Sequence, residues 1–246
     1  MPESFALVRL LNALFMGIEV KAFQSIGLHT AEASQMAVKV NQAFGLELLI
    51  AAGLIVFFII VRLTLSAEKP NPVQQIAEMV HGFTGSQADQ VIGHGYERFQ
   101  AYATCILLFV LLNNLLGLIP GIATPTGEPW VPLGLAVLTF VYYHYHGFRV
   151  NGLGYIKQFL GPVWWLAPLM FIIEIISHCA RVMSLTIRLY ANMLASDLVT
   201  LVIFSLIPLA FPAIFLGFHA FVSCIQAYIF MLLTMIYLSQ AVSHEH

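Results

Sequence analysis

The sequence predicts an all-α membrane protein: about five membrane-embedded helices, an amphipathic surface helix, and a C-terminal hairpin of two long, strongly tilted helices. Three observations carry that reading. Hydrophobic residues make up 60% of the 246 and charged residues 9%, against about 45–50% and about 25% in an ordinary soluble domain. Apolar runs follow one another with little polar sequence between them. Two of those runs are too long to cross a bilayer upright.

Residues 1–43 form an N-terminal segment, and 44–246 read as a single membrane domain. Leu7 to Ile18 is apolar, but no Lys/Arg-rich start precedes it and no small-residue cleavage site follows. It reads as a short amphipathic segment rather than a signal peptide. The first span, about 44–65, is long enough for a hydrocarbon core of about 30 Å. Pro70-Asn71-Pro72 then breaks the chain. From about 72 to 84, Val73, Ile76, Ala77, Val80 and Phe83 form one apolar stripe beside Gln74, Gln75 and Glu78, which suits a helix on the membrane surface or packed on protein. Spans follow at about 99–119, closed by Gly117 and Pro120, and at about 131–147. His144 and His146 sit among tyrosines near a membrane boundary and read as neighbours of an aromatic belt. The last two runs cover about 168–206 and 213–241, separated by Pro208-Leu-Ala-Phe-Pro212.

Pro168 to Leu206 would extend roughly 58 Å as a helix, and its successor roughly 43 Å, at about 1.5 Å per residue. Neither fits upright, so both must incline, and inclination is set by packing against neighbours. The connections 62–98 and 149–157 hold five basic residues, whereas 117–133 and 207–213 hold none. By the positive-inside rule the former face the cytoplasm. That puts the C-terminus inside and the N-terminal segment on the periplasmic or lumenal side, although Arg9, Lys21 and Lys39 in that segment oppose it. Cys105, Cys179 and Cys224 lie in apolar runs without metal or redox spacing, and buried thiols are expected. No metal, cofactor or nucleic-acid partner is expected.

At about 100° per residue, Glu174, His178, Arg181, Arg188 and Asn192 fall within about 40° of a common line. A charge at mid-membrane costs a few kcal/mol, so such residues face protein or a water-filled path. Arg181 stands seven residues after Glu174 and is either its ion-pair partner or part of a lining. Arg188 has no acidic residue at i±3 or i±4, and Asp197 falls nearly opposite on the helix, so its partner must come from another helix or another chain. On the final run His219, Ser223 and Gln226 recur at i, i+4 and i+7, a second polar stripe suited to proton relay with Asp197 across an antiparallel hairpin. Asn113 and Asn114 suit interhelical hydrogen bonding.

These residues also carry a resemblance. Ser184-Leu-Thr-Ile-Arg188-Leu-Tyr-Ala-Asn192-Met-Leu-Ala-Ser-Asp197 resembles the signature of subunit a of F-type ATP synthases, S-L-x-x-R-L-x-x-N-x-x-A-x-(E/D). Gln226-Ala-Tyr-Ile-Phe-Met-Leu-Leu-Thr-Met-Ile-Tyr-Leu resembles that family's Q-A-F-I-F-x-x-L-T-x-x-Y, and Leu112-Asn-Asn-Leu-Leu-Gly-Leu-Ile-Pro120 its N-x-x-G-L-x-P turn. Glu174 stands 14 residues before Arg188, as the family's glutamate often does. The likeness covers about 45 to 246. Asp197 shortens the commoner glutamate, Tyr190-Ala191 replaces Phe-Gly, and the first 40 residues match no pattern of the family.

The resemblance implies a non-catalytic, ion-translocating stator subunit with no ATP site, partnered by a c-ring, peripheral-stalk b subunits, other synthase subunits and the lipid bilayer. It implies an energy-coupling membrane, a bacterial inner membrane ahead of a thylakoid or mitochondrial one. Arg188 would attract the ionised ring carboxylate and block a direct leak, because a guanidinium does not deprotonate in practice. Asp197, His219, Asn192 and Gln226, with Ser223 and Asn114 as further lining, would take protons in. Glu174, with Ser177, His178, Arg181 and Ser184 nearby, would let them out. Asp197 and His219 would act together. The alternative, a self-contained proton channel or secondary transporter, predicts an internal repeat with paired broken helices, and the five spans contain none.

Overall fold

The computed structural model describes residues 42–66, 70–119, 124–152, 154–155, 165–206 and 211–242. The N-terminal segment, apart from its last two residues, and the predicted turn after Leu206 fall outside those residues, as does Lys157. Among the described residues there are six α-helices and no strand: α1 Gln42–Leu63, α2 Pro72–Ile92, α3 Glu97–Leu116, α4 Trp130–Asn151, α5 Ala167–Leu206 and α6 Phe211–Val242. A short 3-10 turn, Pro125–Gly127, lies between α3 and α4. Helices α1, α3, α5 and α6 are long and apolar enough to cross a membrane. Helix α4 has 22 residues but carries the tyrosine and histidine cluster that lowers its apolarity.

Prolines start these helices where the ring costs no hydrogen bond: Pro72 opens α2, and Pro212 lies in the first turn of α6. Gly93, at φ 76°, ends α2 in a conformation that side chains disfavour. Helix α5 has no proline or glycine from Leu169 to Leu206, and it runs as one helix of 40 residues. That length, about 60 Å, exceeds an upright crossing by nearly two-fold.

The core is built on α6. Its Ala227, Phe230, Met231 and Met235 pack with Ala103, Ile106 and Val110 of α3 and with Leu185, Leu189 and Met193 of α5. A second cluster, Phe99, Tyr143, Tyr155, Leu238 and Ala241, closes the end near the α4 C-terminus. Outside, the usual inside-out rule is reversed: Ile55, Ile59, Leu169, Ile176 and Leu201 are all exposed, as the lipid-facing side of a membrane protein requires. The cysteines follow that rule. Cys105, Cys179 and Cys224 are free and exposed, not buried as expected, because an apolar thiol has no need of the protein interior when the surroundings are themselves apolar.

Helix α2 runs on to Ile92, beyond the expected 84. It turns small and polar residues inward: Thr84 Oγ1 lies 2.7 Å from Thr104 Oγ1, Ala88 is fully buried, and Tyr228 donates to Gln87 Oε1 at 2.8 Å. Val73, Ile76 and Phe83 of the apolar stripe are exposed instead. Small residues let helix backbones approach where apolar burial offers no driving force. Ala88→Leu is expected to destabilise the fold by about 1–3 kcal/mol through overpacking, read as a lower midpoint of thermal denaturation in detergent. Met79→Leu, on the exposed face, should leave that midpoint unchanged.

Candidate functional site

Helix α5 carries three polar groupings in sequence. Arg188 lies near its middle. Glu174 and His178 precede it by roughly 15 to 21 Å along the axis, and Asp197 follows by about 14 Å.

The grouping around Asp197 joins four elements. His219 of α6 is 1% exposed, and its Nδ1 lies 3.7 Å from Asp197 Oδ1 and 2.7 Å from Ser196 Oγ. Its Nε2 lies 3.3 Å from the Asn114 carbonyl oxygen, which only accepts, so Nε2 carries the hydrogen. The nitrogen facing Asp197 is therefore the one free to take up a proton. Thr124 donates to Asp197 Oδ1 at 2.8 Å, and Thr126 donates to Asn114 Oδ1 at 2.6 Å. A Cβ on Gly117 would run into the Thr124 hydroxyl and come within 3.1 Å of His219 Nε2. Only glycine lets the end of α3 close so tightly over the pair.

One turn deeper along the α5–α6 seam, Ser223 is fully buried with its Oγ 4.0 Å from Met193 Sδ. Next, Asn192 donates to Gln226 Oε1 at 2.8 Å. Asn113 Oδ1, Asn114 Nδ2 and Gln226 Nε2 are buried with no hydrogen-bond partner among the described residues. Buried groups of this kind are ordinarily hydrogen-bonded to protein or to water.

At the other end, His178 Nε2 lies 3.3 Å from Glu174 Oε1, and its Nδ1 lies 2.8 Å from Tyr143 Oη. The His144 ring is 4.7 Å from that of His178. Arg181 does not pair with Glu174. Its guanidinium stands 5.1 Å over the Tyr237 ring, a cation–π contact. Ser177 is half-buried beside this group. Tyr155, beyond the end of α4, is buried, and burial pushes its phenol up to about 12.

Arg188 belongs to neither cluster. It is half-exposed, its Nη2 reaches Ser184 Oγ at 3.5 Å, and no carboxylate among the described residues lies within ion-pair distance. Its flanks, Met183 and Ile187, are among the exposed apolar residues. The predicted single stripe is thus divided. His178 turns into α4 and Asn192 into α6, while Arg188 looks outward. Sequence reading missed Thr124, Thr126, Ser196, Tyr143 and Tyr237, and it placed His144 in a belt. Only Thr124 and Thr126 left a signal, their place in a turn-rich linker before Pro125 and Gly127.

Residues 46–239 match the model of the family described as ATP synthase A chain. The chain is 49% identical to "ATP synthase subunit a" of Koribacter versatilis (strain Ellin345), over 100% of both chains. It is 48% identical to the protein of that name from Solibacter usitatus (strain Ellin6076), over 82% of this chain and 87% of the relative. A third relative of that name, from Solidesulfovibrio magneticus, is 36% identical over 92% and 94% of the two chains.

Proposed function

The chain belongs to the ATP synthase A chain family, and from that membership we propose how this integral membrane stator subunit moves protons. Two aqueous half-channels open on opposite sides of the membrane, and neither crosses it. The inlet starts at Asp197 and His219 and descends the α5–α6 seam past Ser223 to Asn192 and Gln226. Its buried amide atoms without protein partners are suited to ordered water, which buried polar groups in aqueous paths recruit. The outlet lies around Glu174, Ser177 and His178, at the end where α4 finishes in Arg149. On the charge asymmetry of the connections, that end faces the cytoplasm and Asp197 faces the periplasm. The C-terminus is then cytoplasmic, the membrane a bacterial inner membrane, and spans α1 and α3 to α6 make one domain. Peripheral-stalk b subunits are the partners expected against the outlying helices.

One observation carries the reading: a permanent cation sits in mid-helix of a membrane segment, partly exposed and with no counter-ion among the described residues. A charge so placed demands a partner from outside. The fitting partner is the carboxylate that each c subunit presents as the ring turns. That carboxylate crosses lipid only when protonated, since an ionised one meets the full desolvation penalty. It loses its proton to the outlet, is held ionised beside Arg188, and regains one from the inlet. Ser184 steadies the guanidinium from one turn away.

Disulfide cross-linking tests which face of α5 meets the ring. Ile187→Cys should form a cross-link to a cysteine on the outer helix of a c subunit one turn from its carboxylate. Leu189→Cys, fully buried against α6, should not. Equal cross-linking at both positions, or none at Ile187→Cys in an assembled complex, would refute the proposed contact.

A further inference from the structure

We infer that Glu174 and His178 act as one proton-holding pair in the outlet half-channel, with Tyr143 the positioning residue that fixes the histidine's tautomer. The inference rests on the outlet assignment above.

The geometry gives each ring nitrogen of His178 a different task. Nδ1 lies 2.8 Å from the Tyr143 oxygen, and both residues are buried. A phenol hydroxyl that donates to Nδ1 leaves the ring hydrogen on Nε2, which faces Glu174 Oε1 at 3.3 Å. Glu174 is the member of the pair that meets the surroundings, its side chain 33% exposed against 10% for His178. An arriving proton therefore has two seats. It bonds to a Glu174 oxygen and leaves the imidazole neutral, or, with the Tyr143 oxygen accepting from a ring hydrogen held on Nδ1, it passes from Glu174 to Nε2 and gives imidazolium beside carboxylate. Either way the pair gains one proton and returns the same proton through Glu174. The two groups titrate as a unit.

The groups facing His178 limit it to one added proton. Among the described residues they include Tyr143 and His144 from α4 and Glu174 and Arg181 on α5 itself, with Tyr155 against the His144 ring and Tyr237 of α6 against Tyr143 and Arg181. Arg181 supplies a permanent positive charge close by, and a second cation beside it is disfavoured. An imidazole beside a carboxylate gives an arriving proton a second seat that a lone carboxylate lacks. The advantage is greatest when the motor runs backwards as a pump, because protons are then collected from the cytoplasm through this half-channel at low concentration.

The test uses the whole complex in inverted membrane vesicles, whose cytoplasmic face meets the buffer. ATP-driven proton pumping is measured from roughly pH 6 to pH 9, spanning the range in which histidine titrates. His178→Gln keeps a donor and an acceptor but has no site for an added proton. A positioned proton carrier contributes at least about 100-fold. With Glu174 still in place, the expected loss is about ten-fold at the alkaline end and less than about two-fold at the acid end, shifting the profile to lower pH. Tyr143→Phe, which keeps the ring and removes the hydroxyl, should shift it in the same direction by less. A uniform loss at every pH, or no loss, in both variants would show a structural contact and overturn the pair. Should His178→Gln fail to assemble, Tyr143→Phe decides by the same criterion. Arg188→Ala separates this inference from its premise: if that variant pumps normally, the outlet assignment falls too. If it is dead while His178→Gln keeps the wild-type profile, only the pair is overturned.

Discussion

Arg188→Ala should abolish proton-coupled ATP synthesis while leaving the complex assembled. The side chain is half-exposed, and its one polar contact among the described residues is Ser184 at 3.5 Å, so its loss removes no packing from the core built on α6. What it removes is the fixed positive charge that, in the proposed mechanism, holds the ring carboxylate ionised between two half-channels. Without it the ionised carboxylate has no counter-charge at mid-membrane, where even the mildest scale sets the cost at about 2.5–3.5 kcal/mol. That cost corresponds to a rate factor of roughly 100. ATP synthesis in energised vesicles should fall by more than about ten-fold, with c subunits co-isolating in normal amount. Arg188→Lys should fail as well, because an ammonium is a compact point charge whose proton can leave when it is desolvated. Synthesis near the wild-type rate in the alanine variant would remove the basis of the stator mechanism.

Asp197 and His219 should behave as one unit. Their 3.7 Å separation, the Thr124 hydrogen bond to the carboxylate and the Asn114 carbonyl that fixes Nε2–H make a single polar network. Groups that share a network couple by about 0.5–3 kcal/mol. In a double-mutant cycle on proton flux, Asp197→Asn and His219→Ala should each slow flux severely, and the double variant should be little worse than either. A coupling of at least about 1 kcal/mol, a factor near five, is expected. Multiplicative effects in the double variant would mean that the two residues serve separate steps.

The helices were legible because lipid imposes long apolar runs, and every span boundary falls within four residues of its expected place. The α2 helix was legible from its apolar stripe, which suits a membrane surface, but its course on to Ile92 and its inward face of small residues were not. Here the stripe is exposed and Thr84, Gly85 and Ala88 are buried. In the site, Asp197 could be set beside His219 in advance because α5 and α6 are consecutive and antiparallel, whereas the contact of Asn192 with Gln226 was not read from the sequence. Tyr143 could not. Its partnership with His178 joins helices whose relative rotation depends on the loop between them, and no local spacing encodes that. The helical stripe was correct as an angle and incomplete as an environment: α5 lies against α4 at Tyr143 and against α6 at Gln226, so residues on one line meet different neighbours. Arg181, on the same line as Glu174, stands instead over the Tyr237 ring of α6.

The unbroken course of α5 has a mechanical consequence. Each proton that moves down a potential of 100 mV delivers about 2.3 kcal/mol, and the sideways push on the rotor is matched by an equal recoil on the residue that attracts it. In the proposed mechanism that recoil falls on Arg188, in the middle of a rod of 40 residues. Sharp bends in helices arise almost always at proline, glycine or a local bulge, and between Leu169 and Leu206 the first two are missing. Leu185, Leu189 and Met193, buried against α6, fasten the rod along the stretch that bears the load. The arginine is in effect mounted on a stiff beam clamped from behind, so the stored energy goes into turning the ring rather than into bending the stator.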